Sequence, residues 1–200
     1  TGYEYNSDGT VRRISYPDGG IVSYLYDKLG RKTSETNPRG ATTTFSYNAF
    51  SKEKTVQDPY GYTTLAKYDL AGNEVSFKDK RGNVTLFSYD GTMKLVEKKT
   101  PLELDGSRNI IYAVESYAYD ANGNLIKKSV SSSKDTSFLR ETTYTHYDNN
   151  LVKTESDNSG AYVKSDYDKN GNLTQTASLR ETDVFDIEKY KYLAIKLMEV

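Results

Sequence analysis

Cysteine is absent from the 200 residues, so neither a disulfide nor a thiolate metal site is available to this chain. Histidine occurs once, at position 146. Long apolar runs are missing too. None approaches the roughly 20 residues needed to cross a bilayer as a helix, and no basic-then-apolar signal segment opens the chain. Charge of one sign is also lacking. The 27 Lys and Arg and 28 Asp and Glu are interspersed and leave a net charge of -1. No basic stripe exists to hold a phosphate backbone, which excludes nucleic acid as the expected partner. Apolar residues are scarce, at 36% with a mean hydropathy of -0.76. A globule of this length is normally more apolar, and such poverty points toward disorder. The aromatic content opposes disorder. Aromatics are 12% of the chain and 19 residues are tyrosine, so there is material to pack.

The tyrosines are periodic. A Tyr-Asp or Tyr-Asn pair recurs at Tyr5, Tyr26, Tyr47, Tyr68, Tyr89, Tyr119, Tyr147 and Tyr167, with steps of 21, 21, 21, 21, 30, 28 and 20 residues. Four equal steps in a row mark a repeat array. An aromatic often stands two residues earlier, as at Tyr3, Tyr24, Phe45, Phe87 and Tyr117. Glycine follows four residues after the tyrosine at Gly9, Gly30, Gly72, Gly123 and Gly171, and fourteen after it at Gly19, Gly40, Gly61 and Gly82.

Each unit reads as two strands. The first leads into Tyr-x-Tyr-Asp and is rich in Thr, Tyr, Phe and Val, residues that suit a pleated surface. Period-two spacing puts Tyr24 and Tyr26 on one face. The chain then reverses. In Asp27-Lys-Leu-Gly30 the carboxylate can bond the backbone two residues on, and the glycine can take positive φ. The second strand ends in another turn, as in Asn37-Pro-Arg-Gly40. Two turns per unit predict an all-β fold: tandem antiparallel β-hairpins in a long, curved meander sheet, with eight units over residues 1–176 and about sixteen strands.

Two steps are long. The extra residues fall around 100–109 and 131–136, and predict longer loops or extended strand tips. Asp148-Asn-Asn-Leu151 lacks the glycine and predicts a shorter turn. Residues 177–200 read either as a degenerate ninth repeat or as an amphipathic helix with Ile187, Tyr190, Ala194 and Leu197 on one face. The chain opens directly in a repeat, which suggests a piece of something longer.

Units such as Tyr68-Asp-Leu-Ala-Gly-Asn-Glu-Val75, Tyr119-Asp-Ala-Asn-Gly-Asn-Leu125 and Tyr167-Asp-Lys-Asn-Gly-Asn-Leu173 resemble YD repeats, the family of bacterial Rhs proteins, toxin-complex components and teneurins. The resemblance covers about residues 3–176. It implies a sheet that spirals into a hollow shell, which in bacterial members encloses a variable C-terminal toxin segment and in teneurins serves cell-surface recognition. No plug motif or self-cleaving aspartate pair that marks the end of a bacterial shell is recognisable. The residues given a structural role by the repeat are Tyr5, Tyr26, Asp27, Gly30, Tyr47, Tyr68, Asp69, Gly72, Tyr89, Asp90, Tyr119, Asp120, Gly123, Tyr147, Asp148, Tyr167, Asp168 and Gly171.

Catalytic reagents are few. His146 sits between Tyr144 and Tyr147 and reads as an ordinary variable strand residue. No phosphate-binding glycine loop or dinucleotide fingerprint occurs. Asp120-Ala-Asn-Gly-Asn124 and Asp168-Lys-Asn-Gly-Asn172 resemble the first half of a calcium loop, but its twelfth-position glutamate is replaced by Ser131 and Leu179. The turn reading explains the same residues and also Asp27 and Asp69. Neither a cofactor nor a metal is expected. Tyrosines outside the repeat phase, Tyr16, Tyr60, Tyr62, Tyr112 and Tyr162, are the better binding candidates. The expectation is therefore a non-catalytic shell segment of a secreted or surface protein. Its partners are the neighbouring repeats and an enclosed C-terminal segment. The alternative is a module that binds a cell-surface glycan or protein through Tyr-rich strands and the two insertions.

Overall fold

The computed structural model describes residues 1–50, 52–135 and 139–179. The alternative of helix or ninth repeat for 177–200 lies almost wholly outside them. The described residues contain no helix, only strands and turns. The chain divides into two compact units, Thr1–Lys94 and Leu95–Val200.

The first unit holds β1 (Gly2–Tyr5), β2 (Val11–Ser15), β3 (Ile21–Tyr26), β4 (Lys32–Thr36), β5 (Thr42–Asn48), β6 (Glu53–Gln57), β7 (Thr63–Tyr68), β8 (Glu74–Lys78) and β9 (Val84–Tyr89). The second holds β10 (Leu95–Leu104), β11 (Ile110–Tyr119), β12 (Leu125–Ser132), β13 (Arg140–His146), β14 (Val152–Asp157), β15 (Tyr162–Tyr167) and β16 (Leu173–Leu179). Within each unit every strand pairs antiparallel with its neighbours in sequence. The antiparallel meander expected from the repeat is thus present.

Such a sheet has two exposed faces and almost no core. Among the described residues only Ala66 and Ile111 are buried, at 7% and 6% exposure. Alternation along β3 leaves Tyr24 and Tyr26 half-buried while Leu25 is 64% exposed on the other face. The half-buried face is assembled from aromatic rings and cations. Lys32 Nζ lies 5.5 Å from the Tyr24 ring centre and 4.7 Å from that of Phe45, and Lys54 approaches Phe45 from the next strand at 5.7 Å. Arg31 sits 4.5 Å over Tyr47, and Lys128 lies 5.7 Å from Tyr117. The lysine stem covers ring surface while its head stays wet, so a strand poor in aliphatics still excludes water from the aromatic row.

Four of the paired tyrosines, Tyr26, Tyr47, Tyr89 and Tyr119, have a second task beside the bulges. Tyr26 pairs with Lys32 but Leu25 pairs with Ser34, so Thr33 is an extra residue on β4. The same slip occurs opposite Tyr5, Tyr68, Tyr119 and Tyr167. A bulge bends the strand away from its next neighbour. The β2–β3 ladder accordingly stops at Arg13 and Ser23, which leaves the Val11 carbonyl beyond it. The Tyr26 hydroxyl donates to that carbonyl at 2.9 Å. Tyr47 does the same to the Lys32 carbonyl, Tyr89 to that of Glu74 and Tyr119 to that of Leu95, each at 2.9 Å. A backbone acceptor stranded by one hairpin is satisfied by the phenol of the next, which is why phenylalanine does not serve equally at this position.

Tyr68 departs from this pattern where the bulge is missing. The β5–β6 pairing has no register shift. The β6–β7 ladder then continues to Glu53 and Lys67, and the Lys52 carbonyl takes the Tyr68 backbone N–H at 2.8 Å. No carbonyl is stranded there for the Tyr68 hydroxyl to take.

The second insertion is strand only as far as Ser132, where β12 ends, and the first is strand rather than loop. β10 and β11 are ten residues each and close over a tight turn at Asp105-Gly-Ser-Arg108, whose Arg108 takes a φ of 65°. The turn without glycine is also not shorter. It begins one residue early, at Tyr147, and Asn150 takes the left-handed position with a φ of 65°. That shift changes a side-chain assignment. His146 pairs with Val152 across the bulge, so the histidine, not Tyr147, occupies the position that tyrosine holds in other hairpins. Its Nδ1 is buried without a hydrogen-bond partner.

Removing one hydroxyl should therefore loosen one strand pair. Tyr26→Phe is expected to lower the protection of β2 and β3 amides against hydrogen exchange by about 1 kcal/mol, whereas Tyr60→Phe, at a position 87% exposed, leaves it unchanged. The reciprocal change, His146→Tyr, brings a hydroxyl to the Leu125 carbonyl and should raise protection around β12 and β13 by a similar amount, about 1 kcal/mol.

Candidate functional site

The titratable groups of the repeat gather at the turns, and those that begin at Asp27, Asp69, Asp90, Asp120 and Asp168 are built the same way. Asp27 N–H donates to the Arg31 carbonyl at 2.9 Å and Gly30 N–H donates back to Asp27 at 3.0 Å. The Asp27 carboxylate then accepts the N–H groups of Leu29 and Arg31 on Oδ1, at 2.9 and 3.0 Å, and the Arg31 guanidinium on Oδ2 at 2.7 Å. Gly30 has a φ of 74° with nothing near its Cα, so backbone conformation alone selects glycine there. This is the turn geometry of a three-residue hairpin loop with a left-handed closing residue.

Where asparagine follows the glycine, it completes the clamp. Asn73, Asn124 and Asn172 donate their side-chain amides to Oδ2 of Asp69, Asp120 and Asp168, each at 2.9 Å. Their backbone N–H groups donate to Oδ1 of the same aspartates. Both carboxylate oxygens thus face N–H donors, which is the turn use of these residues rather than a calcium-binding one. Asp90 is clamped by Thr92 and by the Lys94 N–H. Asp148, displaced by the early turn, makes no such clamp: Asn150 bonds the Tyr147 carbonyl.

The clamps hold the carboxylates ionised. Side-chain hydrogen bonds push the pKa values of Asp27, Asp69, Asp90, Asp120 and Asp168 below the ordinary aspartate value, the Arg31, Asn73, Thr92, Asn124 and Asn172 side chains being the respective leading causes. A deeper case lies on the aromatic face. Glu115 receives Lys98 at 2.8 Å, the Tyr117 hydroxyl at 2.9 Å and Lys128 at 3.3 Å. Lys98 foremost brings its pKa down to about 2. Burial, and then the Glu115 bond, push Tyr117 up to about 12.

Shallow clefts open between successive Tyr-Asp turns. One of about 350 Å³ lies between the turns of Tyr5 and Tyr26 and is lined by Asp8, Arg12 and Tyr24. Another, of about 490 Å³, lies between those of Tyr47 and Tyr68. In the second unit a cleft of about 390 Å³ is lined by Tyr147, Tyr167, Asp148, Asp166 and Asp168. There Tyr147 donates to Asp166 at 2.9 Å and meets the Tyr167 ring edge-on at 6.2 Å. His146 is not grouped with any nucleophile or metal ligand, and among the described residues no cluster of three metal-binding side chains occurs.

Of the tyrosines outside the repeat phase, Tyr60 is 87% and Tyr62 59% exposed at the Pro59 turn, Tyr16 is 42% exposed at the Pro17 turn, and Tyr112 and Tyr162 are strand residues on β11 and β15. The lysines and Arg31 that cover the rings were missed by sequence reasoning. Their contacts run between strands, and no local spacing betrays them. The Asn at the fifth turn position was visible as a recurring Asp-x-x-Gly-Asn string.

The recurring hairpin makes this a tandem β-hairpin repeat chain. Residues 5–42 match the family model described as RHS Repeat, so that segment is a repeat of the kind its Tyr-Asp pairs resemble. No curated protein matches the chain in sequence. Solved structures share its fold. The crystal structure of TcdB2-TccC3-Cdc42 matches with a TM-score of 0.69 at 16% identity, over 90% of this chain and 11% of that one. That of TcdB2-TccC3 without hypervariable C-terminal region matches at 0.68 and 16% identity, over 88% and 11%. The Photorhabdus luminescens Tc holotoxin pore with the TccC3-D651A mutation matches at 0.50 and 16% identity, over 87% and 12%. This chain therefore spans about a ninth of the length of these structures.

The sign of the acid response follows from the lowered carboxylate values. A group whose pKa is lower in the folded chain contributes stability above its unfolded pKa and loses it as pH falls through the folded value. The array should hold its stability down to about pH 4 and lose it progressively below. In thermal unfolding at neutral and acid pH, a double Asp120→Asn, Asp168→Asn variant should show a smaller acid loss than the parent chain.

Proposed function

We propose that the chain is a non-catalytic structural segment of a β-shell in a secreted or surface RHS-repeat protein, with residues 1–176 forming eight repeats, and that it helps enclose or present a C-terminal effector segment. The observation that carries this reading is how the polar groups of the repeat are used. Tyrosine hydroxyls satisfy backbone carbonyls and turn aspartates satisfy backbone N–H groups, so the recurring chemistry is directed at closing the sheet on itself. The fold likeness supports it. One of the similar structures is a TcdB2-TccC3 protein lacking a hypervariable C-terminal region, which means that protein otherwise carries one. In the protein from which this chain derives, a tagged C-terminal segment should resist protease while the repeats stay folded and become cleavable when they unfold. Rapid cleavage in the native protein overturns enclosure.

A second reading, a binding module for a cell-surface glycan or protein, rests on Tyr60 and Tyr62, which stand 87% and 59% exposed beside each other on a proline turn. Exposed phenols in such a pair offer rigid area for stacking on a sugar ring or a partner side chain. A glycan array should then give a signal that Tyr60→Ser with Tyr62→Ser abolishes. A blank array removes the glycan half of this reading.

A further inference from the structure

The exposed residues of four successive Tyr-Asp turns in the first unit differ in composition from those of every other such turn. Leu29 is 75%, Phe50 99%, Leu70 94% and Met93 61% exposed. They stand at the tips following β3, β5, β7 and β9, on one edge of the sheet. Successive tips are two strands apart, about 10 Å. The turn before them carries Ser7 and Asp8 at its tip, and the turns of the second unit carry Asn122, Asn149 and Asn170. The turns of Leu29, Leu70 and Met93 share the backbone hydrogen bonds of those carrying Asn122 and Asn170, so that geometry does not demand apolar residues; Phe50 stands in the β5–β6 turn, which closes without a register shift. Among the described residues, Lys28 and Lys52 are the charged side chains exposed at these four tips, and both are positive. The aspartates of the same turns, Asp27, Asp69 and Asp90, are drawn back half-buried into their clamps.

We propose that this row is a docking edge for an anionic lipid surface. Separate apolar side chains projecting from stiff turns enter the boundary between headgroups and acyl chains without needing a pocket shaped for each. The two lysines match the negative headgroup layer, and no exposed tip carboxylate opposes it. The chain stays outside the bilayer: the contact is made by turn tips alone. The proposal goes beyond the shell reading and stands independently of it.

The test uses the 200-residue chain and vesicles, of phosphatidylcholine alone or with about one-third phosphatidylglycerol. The chain should float with the anionic vesicles, and less as salt rises. Leu29→Ser, Phe50→Ser and Leu70→Ser combined should reduce partitioning at least about tenfold with the circular dichroism unchanged. Lys28→Glu with Lys52→Glu should remove the preference for anionic over neutral vesicles, and Tyr60→Ser, in a turn on the opposite edge, should change nothing. Absence of flotation, or flotation unchanged in the triple variant, overturns the proposal. So does self-association without lipid that the triple variant abolishes, because the row then belongs to a second copy of the chain.

Discussion

A sheet with no core must keep its backbone hydrogen bonds closed by other means, and the phenol-to-carbonyl bond is the interaction on which the rest depends. With two buried residues among those described, area burial contributes little beyond what half-covered rings supply. The bulges opposite Tyr5, Tyr26 and Tyr68 strand a carbonyl at the end where the next hairpin must attach. The hydroxyl of Tyr26, Tyr47 or Tyr89 reaches that carbonyl from the adjacent strand. The tyrosine thereby links bulge, ladder length and hairpin attachment in one contact. Where the bulge is missing, between β5 and β6, the ladder lengthens and leaves no carbonyl for the phenol of Tyr68.

The turns show a second economy. An aspartate that accepts two backbone N–H groups and a side-chain donor does at the turn what burial does in a globule: it fixes the chain locally, before any distant contact forms. Stability in such an array is a sum over neighbouring hairpins, so each turn matters to its own pair of strands. The left-handed closing residue is usually glycine, but Met93, Arg108 and Asn150 take it with φ of 65° each. Such residues cost more than glycine in this conformation; Asp90 and Asp105 clamp the turns of Met93 and Arg108, whereas the turn of Asn150 begins at Tyr147 and has no aspartate clamp.

Period and turn chemistry were legible in the sequence because both are local. The Tyr-Asp spacing located the strands, and Asp-x-x-Gly located the reversals. What escaped was whatever depends on register between strands. The string Tyr147-Asp148 looks like any other pair, yet the turn starts one residue early and puts His146 in the tyrosine position. No single-chain pattern announces that shift: Met93 and Arg108 also replace the glycine, and their turns start at the aspartate. The two insertions read equally well as longer loops or as extended strand tips until a partner strand is in place. The cations over the rings were hidden for the same reason: Lys32 and Phe45 are thirteen positions apart and meet only because β4 and β5 pair.

A repeat of this kind turns sequence position into spatial position. Residues that share a place in successive units stand in a row, so one substitution recurring in neighbouring units makes a line rather than a spot. The clamped aspartates and bonded tyrosines are constrained by the sheet and are unavailable for variation. The two tip residues of each turn are not: their side chains point into solvent and their backbone geometry is set by the clamp. Leu29 and Leu70 in one unit, against Asn122 and Asn170 in the other, show that these positions accept either chemistry without altering the turn. Function that differs between stretches of such an array is therefore to be sought at the tips, where the fold leaves the choice of residue open, and not along the tyrosine row, where the fold has already used it.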